Sequence, residues 1–222
     1  MLNENYIKSL LNEPETGMGY QFVRVTFKDY SKKYGTVYYS TILVFEDEIP
    51  SIMSEEILEN ISESSTDLSD IIEITLIKTT MVEKLLSRYS GHRVTVFNEY
   101  LNSPAVMNND EELVKKEIFK RFHAFKNDRR ITSQRGLLPG TYATTEKDAN
   151  NVLTGEQAVE RYALPNPTPA IYLFTIEPVI GTVLKKGIVS ANYRRIGGEV
   201  EVLFVNGTDN NTVTGPKVIP KK

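Results

Sequence analysis

Turn-forming residues are distributed unevenly along this chain, and that unevenness constrains the fold more than any other feature of the sequence. Nine of the 13 glycines and seven of the ten prolines lie after residue 120. Glycine and proline at short intervals are typical of short strands joined by tight loops. We therefore expect an α+β protein with a small α+β unit at 1–105 and a β-rich unit at 106–222.

Alternating apolar and polar residues predict a sheet in the first unit. The segments 21–27 and 36–45 are rich in β-branched and aromatic residues, and the polar segment 29–35 between them ends in Gly35, so together they predict a hairpin. Other patterns predict an amphipathic helix at 52–61, strands at 72–76 and 94–97, and a polar linker at 98–112.

The second unit begins with a segment whose apolar spacing changes. From residue 111 the spacing favours a helix, and at 119–125 it alternates, which predicts a strand carrying Arg121. Two further strands are predicted at 172–176 and 199–205. The tail from Asn206 is rich in Asn, Thr, Gly and Pro, and we expect it to be loop or disordered.

Composition narrows the classes of function. A net charge of −3 and a pI near 5.6 argue against a general nucleic-acid binder, which needs Lys and Arg to neutralise phosphates. The chain has no cysteine, so it has no disulfide and no thiolate metal site. No apolar run is as long as a membrane span, and the first 15 residues lack a signal-peptide pattern. We expect a cytosolic protein, or one delivered into the cytosol of a target cell, with no membrane partner.

Five short motifs in the last hundred residues carry groups that suit one chemistry. In chain order they are Lys120-Arg121-Phe122, the turn Gly140–Thr145, Arg161-Tyr162-Ala163-Leu164-Pro165, Lys186-Gly187, and Gly197-Gly198-Glu199-Val200-Glu201. The set supplies arginines, an aromatic residue on a Thr-rich turn, and a late glutamate.

Those groups fit the cleavage of the nicotinamide–ribose bond of NAD. The transition state resembles an oxocarbenium ion, which a nearby carboxylate such as Glu201 stabilises. Arg121 and Arg161 are candidates to hold the diphosphate, because a guanidinium binds phosphate oxygens bidentately. Tyr142 is the candidate wall for the nicotinamide, beside Thr144 and Thr145. On a strand, Glu199 and Glu201 share one face.

The motif series from Phe119 to Val205 resembles the NAD-glycohydrolase domain named after the tuberculosis necrotizing toxin, and related toxin domains of the ADP-ribosyltransferase superfamily. The resemblance implies a split β-sheet, NAD as substrate with no separate cofactor, and an immunity or inhibitor protein as partner. It places Glu201 at the catalytic position and Arg121 as the NAD-gripping arginine, with Glu199 as a further catalytic candidate. It assigns substrate contacts to Phe122, Tyr142, Thr144, Thr145, Arg161 and Tyr162.

The sequence leaves alternatives open. Glu199 replaces a glycine of the family motif, and the resulting Glu-x-Glu strand also resembles arginine-directed ADP-ribosyltransferases, so hydrolysis and transfer to a macromolecule both remain. A non-enzymatic module that binds NAD or ADP-ribose is the third alternative. Each glutamate could also be an ordinary solvent-facing strand residue. His92 and His123 are too far apart to predict a metal site, although His123 shares the strand face of Arg121.

Overall fold

Two antiparallel β-sheets and a few short helices form a β-rich α+β fold in the computed structural model of the chain. The structure describes residues 2–38, 40, 42–45, 68–76, 109–164, 168–189, 195 and 197–222. No helix among these residues is both long enough and apolar enough to cross a membrane.

The first sheet has four strands in the order β3-β2-β1-β4. Helix α1 (Glu4–Leu11) packs on it through Ile7 and Leu10, and the Asn3 side chain caps its first turn. Buried apolar side chains on alternate strand positions, such as Val23 and Val25, complete this core. The strands are β1 (Tyr20–Phe27), β2 (Lys32–Tyr38), β3 (Ile42–Phe45) and β4 (Ile71–Leu76).

The predicted strands at 21–27 and 72–76 are confirmed, but the hairpin between 21 and 45 differs from the prediction. The turn occupies 28–31, so the polar segment 29–35 belongs mostly to β2. The segment 36–45 is not one strand, because β2 ends at Tyr38 and β3 begins at Ile42. The predicted helix at 52–61 and strand at 94–97 lie outside the described residues, as does most of the predicted linker.

The second sheet has seven strands in the order β11-β8-β6-β7-β10-β9-β5. Apolar side chains alternate between its two faces, so that Phe122 and Tyr142 belong to one core while Phe119 and Ala143 belong to the other. Helices α2 (Glu146–Ala149) and α3 (Gly155–Arg161) cover the first of these faces. The strands are β5 (Glu111–Glu112), β6 (Phe119–His123), β7 (Thr141–Thr145), β8 (Tyr172–Ile176), β9 (Val183–Ile188), β10 (Val200–Phe204) and β11 (Val213–Val218).

The strand predictions at 119–125, 172–176 and 199–205 are confirmed as β6, β8 and β10, although β6 ends at His123 and β10 begins at Val200 and ends at Phe204. The helix predicted from residue 111 is wrong. Residues 111 and 112 form β5, the Leu113 backbone bonds to Gly181 and Thr182, and the Val114 side chain is exposed. The tail predicted as loop or disordered is also wrong, since β11 pairs with β8 and buries Val213. Its partner strand, rather than its composition, makes this segment regular.

The segment between α1 and β1 contacts both sheets, since Gln21 of β1 donates to the carbonyls of Glu13 and Pro14 while other residues of the segment dock on the second sheet. The Glu15 N–H donates to the Gly140 carbonyl at 2.9 Å, and Met18 packs in the core that contains Tyr142. Arg130 donates to the carbonyls of Leu11, the last residue of α1, and of Glu13 just beyond the helix. These contacts join the N-terminal unit to the strands that carry the candidate site.

Gly140 tests this docking. It has a φ of +72°, and a Cβ there would lie 2.3 Å from the Cβ of Pro14. Gly181 has a φ of +92° but no heavy atom within 4 Å of an added Cβ, so Gly181→Ala measures the backbone penalty alone. We expect Gly140→Ala to lower the free energy of unfolding by roughly 1–3 kcal/mol more than Gly181→Ala does. Urea denaturation measures both, and equal losses would show that Pro14 is not held against Gly140.

Candidate functional site

Glu201 is a buried carboxylate with no partner among the described residues. It lies on β10 opposite Gly187 of β9, which has no side chain to fill the space beside it. The residue is 8% exposed, and its carboxylate makes no hydrogen bond or ion pair in the described part of the chain. Burial raises the pKa of Glu201 to about 7, with no charged neighbour to offset it.

Tyr142 lies next to Glu201 on the same face of the sheet. It pairs with Leu203, two residues after Glu201, and side chains two apart on a strand point the same way. Burial, and secondarily the charge of Glu201, raise the pKa of the Tyr142 phenol well above its usual range. Both side chains keep a little exposed surface, so the neutral phenol and the carboxylate reach solvent together.

A charged cluster lies around Asp148 at the start of β10. The Asp148 carboxylate accepts a hydrogen bond from the Val200 N–H at 2.8 Å and lies 3.3 Å from the Thr144 hydroxyl, which donates to the Val200 carbonyl at 2.7 Å. The Arg161 guanidinium lies 2.6 Å from the Glu199 carboxylate and 3.5 Å from that of Asp148. Burial and the adjacent Asp148 raise the pKa of Glu199, although Arg161 opposes this. Arg161 and Glu199 are partly exposed, and Asp148 is buried beneath them.

Phe122 and Tyr162, two of the predicted substrate contacts, are buried core residues. The rings of Phe122 and Tyr162 stack with centroids 5.4 Å apart, and both residues are buried. They belong to the core beneath α2 and α3. Thr145 has a different position, because its hydroxyl accepts from the Asp148 N–H and so caps the start of α2.

Arg121 lies on the opposite face of the sheet from Glu201. It pairs with Phe174 of the second core, whereas Phe122 beside it points to the first. Its guanidinium donates to the carboxylates of Glu15 and Asp128 and to the Tyr142 carbonyl. Although burial opposes its charge, these two carboxylates raise the pKa of Arg121. The NAD contact predicted for Arg121 therefore requires an opening of these internal bonds.

The structure thus places Tyr142 beside Glu201, gathers Thr144, Arg161 and Glu199 around Asp148 at the start of β10, and leaves Arg121 apart. Two residues were not predicted from the sequence: Asp148, which bonds to Arg161, and Glu15, which bonds to Arg121. Asp148 follows Thr145 in a Thr-x-x-Asp helix-start pattern that could have indicated it. Glu15 carries no such signal, because its partner Arg121 is 106 positions away.

His123 does not join the site. Its Nδ1 bonds with the Phe125 carbonyl, and burial lowers its pKa despite the nearby Asp128. Among the described residues, no group of three or more His, Asp or Glu side chains is arranged to hold a metal ion.

Comparisons with protein-family models, with curated proteins and with solved structures return no match for this chain. The arrangement around Glu201 is therefore the basis for any assignment of function. It offers an unpaired carboxylate and an aromatic ring on one face of the second sheet, and a partly exposed guanidinium at the end of α3, which covers that face. Such a set can stabilise a positive charge that develops on a bound ligand while the guanidinium holds an anionic part of it.

The raised pKa of Glu201 predicts a pH-dependent stability. Its folded pKa of about 7 exceeds the ordinary 4.5, so the folded state binds more protons between these values and loses stability as the pH rises through them. Glu201→Gln removes this loss. We expect the free energy of unfolding of the variant, relative to the wild type, to increase by roughly 2–3 kcal/mol between pH 5 and pH 8.

Urea denaturation at several pH values measures this difference. Glu177→Gln removes an exposed carboxylate and measures how the loss of one negative charge alone changes the pH dependence of stability. A difference between Glu201→Gln and the wild type that stays constant over this range would mean that Glu201 is well solvated or paired in the folded protein.

Asp148 offers a second prediction about the same site. Asp148→Ala leaves the Val200 N–H without its acceptor, whereas Asp148→Asn keeps one acceptor oxygen, and in both variants the Thr144 hydroxyl retains the Val200 carbonyl. We expect Asp148→Ala to lower the free energy of unfolding at pH 7 by about 2–3 kcal/mol and Asp148→Asn by about 1 kcal/mol. Equal losses in urea denaturation would show that the acceptor role does not account for this residue.

Proposed function

We propose that this protein cleaves the nicotinamide–ribose bond of NAD and that Glu201 is its catalytic carboxylate. The observation that carries the proposal is the unpaired, nine-tenths buried carboxylate of Glu201 beside Tyr142. Native proteins pair buried carboxylates, so a carboxylate kept without a partner points to a role toward a ligand.

The chemistry requires one well-placed negative charge. The bond between the ribose C1′ and the nicotinamide nitrogen breaks, and its electron pair stays on nicotinamide, which leaves as a neutral molecule. The positive charge that develops on the ribose is stabilised by ionised Glu201, whose effect is strong because little water screens it. A water molecule then forms the new bond at C1′ and releases a proton, giving ADP-ribose.

The neighbouring residues supply the binding groups. The Tyr142 ring would stack on the nicotinamide, and its neutral phenol adds no competing charge. The Arg161 guanidinium, held by Glu199 and Asp148 at the edge of the site, would bind the diphosphate. Thr144 would contribute chiefly by fixing β7 to β10, since its hydroxyl donates to the Val200 carbonyl.

The finer fold assignment belongs to the same proposal. Strands β6 and β7 pair at only two positions, Phe119 with Thr145 and Lys120 with Thr144. Beyond these pairs the strands separate, which supports a split sheet of the ADP-ribosyltransferase type. With the motif resemblance, this favours a toxin or effector role and an immunity protein as partner.

A second candidate function is transfer of ADP-ribose to a macromolecule. Glu199 favours it, because this carboxylate precedes Glu201 by two residues, is partly exposed and has a raised pKa. A carboxylate in that position could accept the proton of an incoming nucleophile other than water.

Incubation of the purified chain with NAD tests the proposal. We expect release of free nicotinamide, with a rate that rises with pH through about 7 as Glu201 ionises. Glu201→Gln, which preserves shape but not charge, should lower this rate by at least about 100-fold. Glu177→Gln removes an exposed carboxylate and is the matched control.

The fate of labelled ADP-ribose separates hydrolysis from transfer. Free ADP-ribose supports the hydrolase, and label attached to protein or nucleic acid from a cell extract supports the transferase. NAD binding without nicotinamide release, in both the presence and the absence of extract, would overturn the enzymatic proposal in favour of a binding module. Full activity of Glu201→Gln would overturn the assignment of this residue.

A further inference from the structure

The carboxylate of Glu15 is surrounded by donors in the way that proteins surround a bound oxyanion. Its Oε1 accepts from Arg121 Nη2 at 2.9 Å and from the Gly19 N–H at 3.1 Å. Its Oε2 accepts from Arg121 Nη1 at 3.0 Å and from the Tyr142 N–H at 2.9 Å. Each oxygen thus receives two N–H groups, one from the guanidinium fork and one from the backbone.

Most of these donors are held in place without Glu15. The Arg121 Nε donates to Asp128 at 2.6 Å, and its Nη1 also donates to the Tyr142 carbonyl at 2.6 Å. The Tyr142 N–H faces the opening between β6 and β7, because these strands no longer pair at this position. The second sheet therefore presents a preorganised site, and the docked N-terminal segment supplies its occupant together with the Gly19 N–H.

The charges of this buried cluster balance only when an anion is present. Arg121 and Arg130 carry two positive charges, and Glu15 and Asp128 carry two negative ones, with all four residues less than 9% exposed. Without the Glu15 carboxylate, one positive charge would remain uncompensated in a nearly dry environment. Such a charge is costly, and a small anion that can enter relieves the cost.

We propose that Arg121, together with the backbone N–H groups of Gly19 and Tyr142, forms an oxyanion-binding site that Glu15 occupies as an internal ligand. The external ligand that fits this site is a carboxylate or a phosphoryl group, since both present two oxygens to a guanidinium fork. This site does not rest on the proposed function, because Arg121 lies on the opposite face of the sheet from Glu201 and the NAD diphosphate contact is proposed for Arg161.

The full-length Glu15→Ala variant tests the site, because it removes the internal anion and opens space for a small one. The probes are formate and inorganic phosphate, each compared with chloride at equal ionic strength. We expect Glu15→Ala to have a lower Tm than the wild type in chloride, and formate to raise that Tm by roughly 3–6 °C. If the variant does not fold in chloride, its yield of folded protein in formate becomes the readout.

Three comparisons make the result specific. Glu13→Ala removes the same charge from an exposed side chain of the same segment, and its Tm should be the same in formate, phosphate and chloride. Glu15→Gln fills the space with a neutral group, and formate or phosphate should not raise its Tm above the value in chloride. Rescue of Glu15→Ala by formate alone identifies a carboxylate as the ligand, and rescue by phosphate as well identifies a phosphoryl group.

An equal Tm of Glu15→Ala in formate, phosphate and chloride would overturn the proposal and leave the Glu15–Arg121 pair as a structural contact. This outcome does not depend on NAD cleavage, so it is distinguishable from a failure of the proposed function. Conversely, loss of nicotinamide release in Glu201→Gln would stand whether or not formate binds.

Discussion

The ion cluster around Arg121 is the interaction on which the rest of the structure depends. Strands β6 and β7 stop pairing beyond Lys120, and the Tyr142 backbone then bonds to Glu15 and Arg121 instead of to a strand. Side chains here replace the hydrogen bonds that a continuous sheet would make. Breaking one member of such a buried cluster typically costs about 3–5 kcal/mol, because the remaining charge is left without compensation. The same bonds hold the N-terminal segment against the second sheet.

This arrangement divides the candidate functional residues between the two faces of one sheet. On its face Arg121 is paired with Glu15 and Asp128 beside an apolar core, whereas the opposite face keeps the Glu201 carboxylate without a partner among the described residues. Tyr142 connects the two, since its backbone bonds to Glu15 and Arg121 and its ring lies beside Glu201. Loss of the hydrogen bonds that Arg121 and Glu15 make to the Tyr142 backbone would therefore move the Tyr142 ring in the proposed NAD site.

Local patterns in the sequence were sufficient for the strands that this division uses. Residues 119–125 and 199–205 alternate in part, residues 172–176 are rich in aromatic and β-branched side chains between turn residues, and the structure has strands at 119–123, 172–176 and 200–204. The tail and the segment after residue 111 were predicted wrongly, because each is made regular by a partner strand that no local pattern reveals. Alternation also placed Glu199 and Glu201 on one face, but it could not show that Arg121 lies on the other.

The long-range parts of the site were beyond sequence reasoning for a physical reason. The contact between Glu15 and Arg121 joins residues 106 positions apart, and a glutamate in a loop has no feature that marks it as buried. Asp148 was closer to prediction, since its helix-start pattern is visible, although its bond to the Val200 N–H is not. The neighbourhood of Tyr142 and Glu201 likewise depends on strand order, which the sequence alone did not determine.

The proposed activity requires NAD to bind at the face that carries Glu201. A crystal structure of the Glu201→Gln variant with NAD tests this most directly. We expect the nicotinamide ring to stack on Tyr142, the C1′ of its ribose to lie within about 4 Å of the residue 201 side chain, and Arg161 to contact the diphosphate. NAD bound elsewhere on the protein, with this face empty, would contradict it.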